Sequence, residues 1–315
     1  MRARPIYRIH ETTMQKQLYE SLKASLASAI LILKLVIPFY ILADILLYFD
    51  LLRPVSILFS PVTNILQLPA ETAMAICAGV FLNLYAAVAF AAPLGLGSYE
   101  WTILGVFLGV CHSLPVENSI MKKLGIGFLY STGLRISMAF LTTIPLFFLP
   151  ASFFTGEKSG KSVELPSYAN IADMLSHSLA NAAILAMKII FLIAAVIFVM
   201  DAIKQTRFIK NYGQRVQTSF SLLTGQLLGI TYGAGILLKE ANSGNLSKKD
   251  IFFIGTFLMI CHSLVEDPLL FVIFGANFWV IIICRLAMAC IASLLLSVLF
   301  QRLEKKRKGK NFTDS

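Results

Sequence analysis

The chain has 315 residues, of which 57% are apolar and only 14% charged, with a formal net charge of +10. Apolar runs long enough to cross a bilayer exclude a soluble globular protein and define an integral membrane protein. The basic balance does not point to nucleic acid, because the lysines and arginines cluster beside apolar segments, where they act as topology signals against anionic lipid.

Residues 1–24 form a basic arm with five Lys/Arg and no convincing cleavage site, so the arm stays on the protein. A full crossing needs about 20 apolar residues, which places spanning helices at 25–47, 70–92, 126–149, 179–203, 217–238 and 277–300. Segments 51–68 and 204–216 read as interfacial. Two apolar stretches, WTILGVFLGVCHSL at 101–114 and IFFIGTFLMICHSL at 251–264, are too short to span, and each ends in the same Cys-His-Ser-Leu tetrad. The five cysteines lie in apolar stretches without disulfide or CxxC spacing and read as buried thiols. Gly225, Gly229 and Gly233, spaced by four, suit close helix packing. Asn83 places an amide in lipid, where it requires a partner.

The tetrads belong to a duplication. Aligned without gaps, residues 105–140 and 255–290 are identical at 12 of 36 positions, among them Cys111/Cys261, His112/His262, Ser113/Ser263, Gly125/Gly275 and Arg135/Arg285. Apolar composition alone would match leucines, but not Cys-His-Ser and an arginine at a constant offset of 150. Glu117 then corresponds to Asp267, or to Glu266 if Pro268 marks a one-residue slip. The repeats cover 25–150, with a hairpin near 101–120, and 179–300, with a hairpin near 251–270, joined by an external loop at 151–178 and closed by a basic tail at 301–315.

Lys/Arg-rich segments stay cytoplasmic. If the short segments are re-entrant, the arm, the 204–215 loop and the tail all fall on the cytoplasmic side. Each repeat then has three spanning helices and one re-entrant or broken helical hairpin. An odd number of crossings inverts the second repeat. The fold class expected is an all-α polytopic protein of two inverted repeats in the cytoplasmic (inner) membrane with both termini cytoplasmic, an architecture of secondary transporters.

Pro115 and Pro268 end regular helix beside the tetrads, and the freed backbone groups must be buried in protein or line water. His112 and His262 can carry protons or ligate a metal as neutral imidazole, or can simply bond a carbonyl of a neighbouring helix. Ser113, Ser263, Glu117, Asn83, Glu266 and Asp267 are the candidate substrate-binding groups. Cys111, His112, Cys261 and His262 form a candidate ligand set for a soft or borderline divalent metal. Such an ion would be transported substrate, since no resident cofactor is indicated. Arg135 and Arg285 lie about nine residues inside apolar helices and need partners. Glu117 and Glu266 or Asp267 are the nearest acids, and a fork between them would pin each hairpin to its following helix, a role set ahead of direct contact with an anionic substrate. Snorkelling accounts for Asp44 and Asp201 near helix ends, but less readily for Lys34 and Lys188 in mid-helix.

With CHSLPVEN and CHSLVEDP placed on paired short helices in a duplicated apolar unit, the chain resembles the Gate-domain membrane proteins, often labelled nucleoside recognition. These are similar to parts of concentrative nucleoside transporters, to the membrane domain of bacterial ferrous-iron transporters and to spore-maturation membrane proteins. The resemblance spans about 25–300 and implies a permease for a small polar solute or a divalent cation. The alternative is a non-transporting membrane assembly or sensor protein. An intramembrane hydrolase ranks lower, because neighbouring His and Ser side chains point apart and two identical half-sites do not make a nucleophile, base and orienter. No enzymatic activity is expected; the partners expected are lipid, the solute or cation and, for the assembled state, further copies of the chain.

Overall fold

The computed structural model describes residues 6–51, 53–154, 167–204 and 246–313, and among these every regular element is a helix. In chain order they are α1 (Ile6–Tyr48), α2 (Arg53–Ile65), α3 (Ala73–Phe81), α4 (Leu84–Ala91), α5 (Ser98–Cys111), α6 (Leu114–Lys123), α7 (Phe128–Phe147), α8 (Ile171–Lys204), α9 (Lys248–Ile260), α10 (Glu266–Val272) and α11 (Phe278–Thr313). The expected span 217–238, its glycine stripe and most of the 204–216 segment lie outside the described residues.

Four described helical stretches are long and apolar enough to cross a membrane: Tyr19–Tyr48, Ser98–Lys123, Ile171–Ala202 and Phe278–Arg302. A fifth arises if Arg53–Ile65 and Ala70–Phe81, which meet at 104°, form one broken span or re-entrant loop. The protein is therefore a multi-helix membrane protein. Burial separates centre from rim. The most apolar window of Ser98–Lys123 is 72% buried, whereas those of α1 and α8 are 28% buried, so the tetrad-bearing element is core while α1 and α8 present side chains such as Leu26, Ile184 and Phe191 outward.

Three sequence expectations change here. The stretch 70–92 is not one helix. It breaks at Leu82–Asn83, because Asn83 takes an extended backbone and its side-chain oxygen accepts the Ala86 N–H at 3.0 Å, making it the N-cap of α4. Segment 51–68, expected to lie at the interface, supplies the partner helix of the bent pair. The stretch near 101–120, expected as a re-entrant or broken helical hairpin, is broken at 112–113, but α5 and α6 taken together reach spanning length. The expected span at 126–149 forms as α7, although Ser131, Thr132, Arg135, Thr142 and Thr143 leave it outside the four most apolar elements.

The rim pair α1 and α8 is held by two polar contacts. Ser21 Oγ donates to Asp201 Oδ2 at 2.6 Å, and Ser178 Oγ donates to Asp44 Oδ2 at 2.5 Å. An early residue of each helix thus meets a late residue of the other, which requires the two helices to run antiparallel. The serines and the aspartates are separated by the same number of residues, since 178 minus 21 equals 201 minus 44. Asp44 is 0% exposed, so it does not snorkel to the surface as the sequence suggested. Tyr168, just outside α8, also bonds Asp44, and burial followed by the Asp44 charge pushes its hydroxyl up to about 12, keeping it a neutral donor. Lys34 and Lys188 are exposed on the outer faces of these helices.

Candidate functional site

Both tetrads carry a left-handed serine just past the end of their helix, α5 stopping at Cys111 and α9 one position earlier at Ile260. His112 is extended, Ser113 is left-handed with φ 48°, and Ser263 repeats this with φ 49°. A left-handed serine stops the helix, so the two breaks are built into the backbone at equivalent positions. Pro115 then sits in the first turn of α6, where no intrahelical donor is required, and Pro268 lies in the first turn of α10. Both short helices close on a glycine of positive φ, Gly125 at 84° and Gly275 at 91°. In each, the glycine N–H and the next N–H reach back to the last turn: Gly125 to Lys122 and Ile126 to Met121, Gly275 to Val272 and Ala276 to Phe271. The repeat offset of 150 thus holds in conformation as well as in sequence.

Groups freed at the breaks find partners inside the protein, as a lipid environment demands. Ser113 N–H donates to Gly79 O and Ser113 Oγ donates to Leu82 O, both at 2.9 Å, so the break at 112–113 satisfies carbonyls freed at 82–83. Arg135 Nε donates to Val110 O at 2.7 Å and its Nη2 to His112 O at 2.9 Å. Arg285 Nη2 donates to His262 O at 2.8 Å and crosses to the first repeat at Gly109 O, 2.6 Å away. Gly109 permits this approach, because a Cβ there would stand 3.0 Å from the guanidinium. The arginines are accordingly 0% exposed and serve first as donors to broken-helix carbonyls.

Their carboxylate partners differ. Arg135 Nη1 lies 2.6 Å from Glu117 Oε2, an ion pair by distance whose N–H is not aligned as a hydrogen bond. Arg285 Nη2 stands 3.6 Å from Asp267 Oδ2, and Arg285 Nε and Nη1 have no hydrogen-bond partner among the described residues. The expected pairing is thus found with Glu117 and with Asp267. Glu266 instead accepts the Tyr85 hydroxyl at 3.1 Å. Glutamate is one methylene longer than aspartate, and that reach carries Glu117 past its arginine to the histidines.

The histidines meet at the centre, with ring centroids 5.1 Å apart. Nδ1 of His112 contacts Leu108 O at 2.7 Å, and Nδ1 of His262 contacts Leu258 O at 2.8 Å. A carbonyl only accepts, so both Nδ1 atoms carry hydrogen and each neutral ring turns an Nε2 lone pair inward. Glu117 Oε1 faces both, at 3.1 Å from His112 Nε2 and 3.4 Å from His262 Nε2. Three acceptor atoms therefore face one another in a site where His112 and Glu117 are each 7% exposed and His262 only 1%. Such a cluster is stable only with a proton or a cation between its members.

Of the residues singled out from sequence, His112, His262 and Glu117 converge, with ligand atoms all within 4.8 Å of one another. The four-residue set Cys111, His112, Cys261, His262 is not brought together as ligands. Each imidazole folds back onto a carbonyl of its own helix, while the preceding cysteines are buried within the hydrophobic core. Asn83, expected at the substrate, uses its side-chain oxygen as a helix cap, and Ser113 is held by Leu82. Ser263 keeps the left-handed break and is buried. Sequence reasoning overlooked Gly109, whose signal was present: it faces an arginine of the other repeat where its counterpart is Met259.

No family model matches the chain, and no solved structure does. Over 292 residues the chain is 24% identical to the uncharacterized membrane protein YvoD of Bacillus subtilis strain 168, covering 88% of this chain and 93% of that protein.

Proposed function

We propose that this protein is a multi-pass transporter of the cytoplasmic membrane that moves a small polar solute or a divalent metal ion through a central site built by its two repeats. The observation that carries this reading is the convergence of one histidine from each repeat on a single buried carboxylate, at breaks in otherwise apolar helices. Intramembrane ionisable groups are costly to bury, and a broken backbone at membrane depth is tolerated where it surrounds a site. The inverted relation between the repeats is part of the proposal. It is supported by the antiparallel pairing of α1 with α8 through Ser21–Asp201 and Asp44–Ser178, which a two-fold axis in the membrane plane would generate. The Gate-domain resemblance agrees with it. Both termini are placed in the cytoplasm on the lysine and arginine distribution.

A hydrolytic role receives no support from Ser113, whose hydroxyl is committed to a backbone carbonyl rather than to a base. The deciding experiment is uptake into proteoliposomes of nucleosides, Fe²⁺, Mn²⁺ and Zn²⁺, each with and without a pH gradient. Saturable uptake that disappears in a His112→Ala/His262→Ala variant is expected. A variant with full activity would remove the central site from the mechanism, and a folded wild type that moves nothing would favour the assembly or sensor alternative.

A further inference from the structure

Resting on the transport reading, we infer that His112 Nε2, His262 Nε2 and Glu117 Oε1 bind a first-row divalent cation of borderline softness, such as Zn²⁺ or Fe²⁺, and that this ion is the cargo. The donor set is two neutral imidazoles and one carboxylate, a combination that suits these ions better than Mg²⁺ or Ca²⁺. Metal–nitrogen and metal–oxygen bonds of about 2.0–2.2 Å at tetrahedral angles set neighbouring ligand atoms about 3.3 Å apart. The two nitrogen-to-carboxylate distances, 3.1 and 3.4 Å, bracket that value.

Each donor is also held from behind. Both imidazoles give their Nδ1 hydrogens to backbone carbonyls, and Glu117 keeps Oε2 against Arg135 while Oε1 faces the rings. This is the outer-shell support that fixes ring orientation and tautomer in metal sites. His262 Nε2, in a residue 1% exposed, has no hydrogen-bond partner among the described residues and is aimed into the cluster, a buried acceptor that a ligand would satisfy. Arg135 stands 2.6 Å from Glu117 and Arg285 3.6 Å from Asp267, so each arginine beside the site is countered by a carboxylate of its own. A site with only three protein donors suits an ion that must also leave.

The test uses full-length protein in detergent, stripped with a chelator and titrated with Zn²⁺ or Mg²⁺ by calorimetry and with Co²⁺ by visible absorption. One equivalent of Zn²⁺ should bind and Mg²⁺ should not compete. The Co²⁺ spectrum should show ligand-field bands without a thiolate charge-transfer band. Losing even an outer-shell partner costs a metal site about 10–100-fold in affinity, so Glu117→Gln, which keeps the side-chain shape but removes the charge of a direct ligand, should weaken Zn²⁺ binding by at least about tenfold. Cys111→Ser/Cys261→Ser should leave binding unchanged. The wild-type spectrum needs no variant, so a folding defect in Glu117→Gln does not remove the test. Absence of a Zn²⁺ equivalent, a thiolate band, or a folded Glu117→Gln protein with unaltered affinity overturns the inference; the first of these leaves a shared proton as the occupant. Its failure is separable from that of the transport reading. Uptake of a metal-free solute without Zn²⁺ binding ends the metal inference alone, whereas the predicted Zn²⁺ binding without uptake of any substrate ends the transport reading.

Discussion

Replacing Arg135 with alanine removes the group that ties the first break to its carboxylate. The guanidinium is fully buried, donates to Val110 O and His112 O, and lies 2.6 Å from Glu117. Its loss leaves a buried carboxylate unpaired, a change that typically costs about 3–5 kcal/mol, and strips two carbonyls of their donors. Neutralising that carboxylate by Glu117→Gln in the Arg135→Ala background should recover about 1–3 kcal/mol, because the unpaired charge is gone while the amide keeps the shape. Glu117→Gln alone should destabilise, since it leaves Arg135 as the uncompensated charge. The two effects therefore couple, and the double variant should be more stable than Arg135→Ala itself. Unfolding of the detergent-solubilised protein, followed by intrinsic fluorescence over a denaturant series, gives the four stabilities of the cycle. Losses that add to within about 0.5 kcal/mol would refute the pairing, because that is the scatter expected of independent sites.

Gly109→Ala should destabilise by about 1–3 kcal/mol by driving a methyl group into Arg285, whereas Gly133→Ala, with nothing within 4 Å of the added carbon, should be neutral or stabilising by up to about 1 kcal/mol; thermal unfolding compares them directly. At the left-handed Ser113, glycine should be accepted, while valine should cost at least about 1–2 kcal/mol, read as a lower melting temperature. Ser178→Ala removes a donor from the buried Asp44 and should cost about 1–3 kcal/mol, with Asp44→Asn partly restoring stability. For the proposed topology, single cysteines introduced in the N-terminal arm and in the tail should react with membrane-impermeant maleimide only after the cells are opened, and one in the 151–178 loop should react in intact cells. Labelling of the 151–178 loop only from inside would remove the inverted-repeat proposal.

Composition and local pattern decided much of this protein without the fold. Apolar runs specify the membrane-crossing helices, because only a closed set of backbone hydrogen bonds survives in lipid. The constant offset of 150 marks the duplicated tetrads, and identical residues at Ser113/Ser263 and Gly125/Gly275 specify identical left-handed stops, since those conformations depend on a few neighbouring residues. The pairing of Arg135 with Glu117 was legible for a related reason: a mid-helix arginine requires an acid, and few were within reach. What the sequence left open depends on the direction in which side chains leave the packed backbone. Histidine and cysteine are adjacent in both tetrads and look like one ligand set, but each ring folds onto the carbonyl four residues back while the cysteines are buried within the hydrophobic core. The break at Asn83 was marked locally only by a residue type that caps helices, and the carbonyls it frees find their donor in Ser113, about thirty residues away in sequence. Glu117 and Asp267 occupy equivalent positions, yet tertiary packing gives them different tasks: in a site this closely packed, one methylene decides whether a carboxylate stops beside its arginine or reaches both imidazoles.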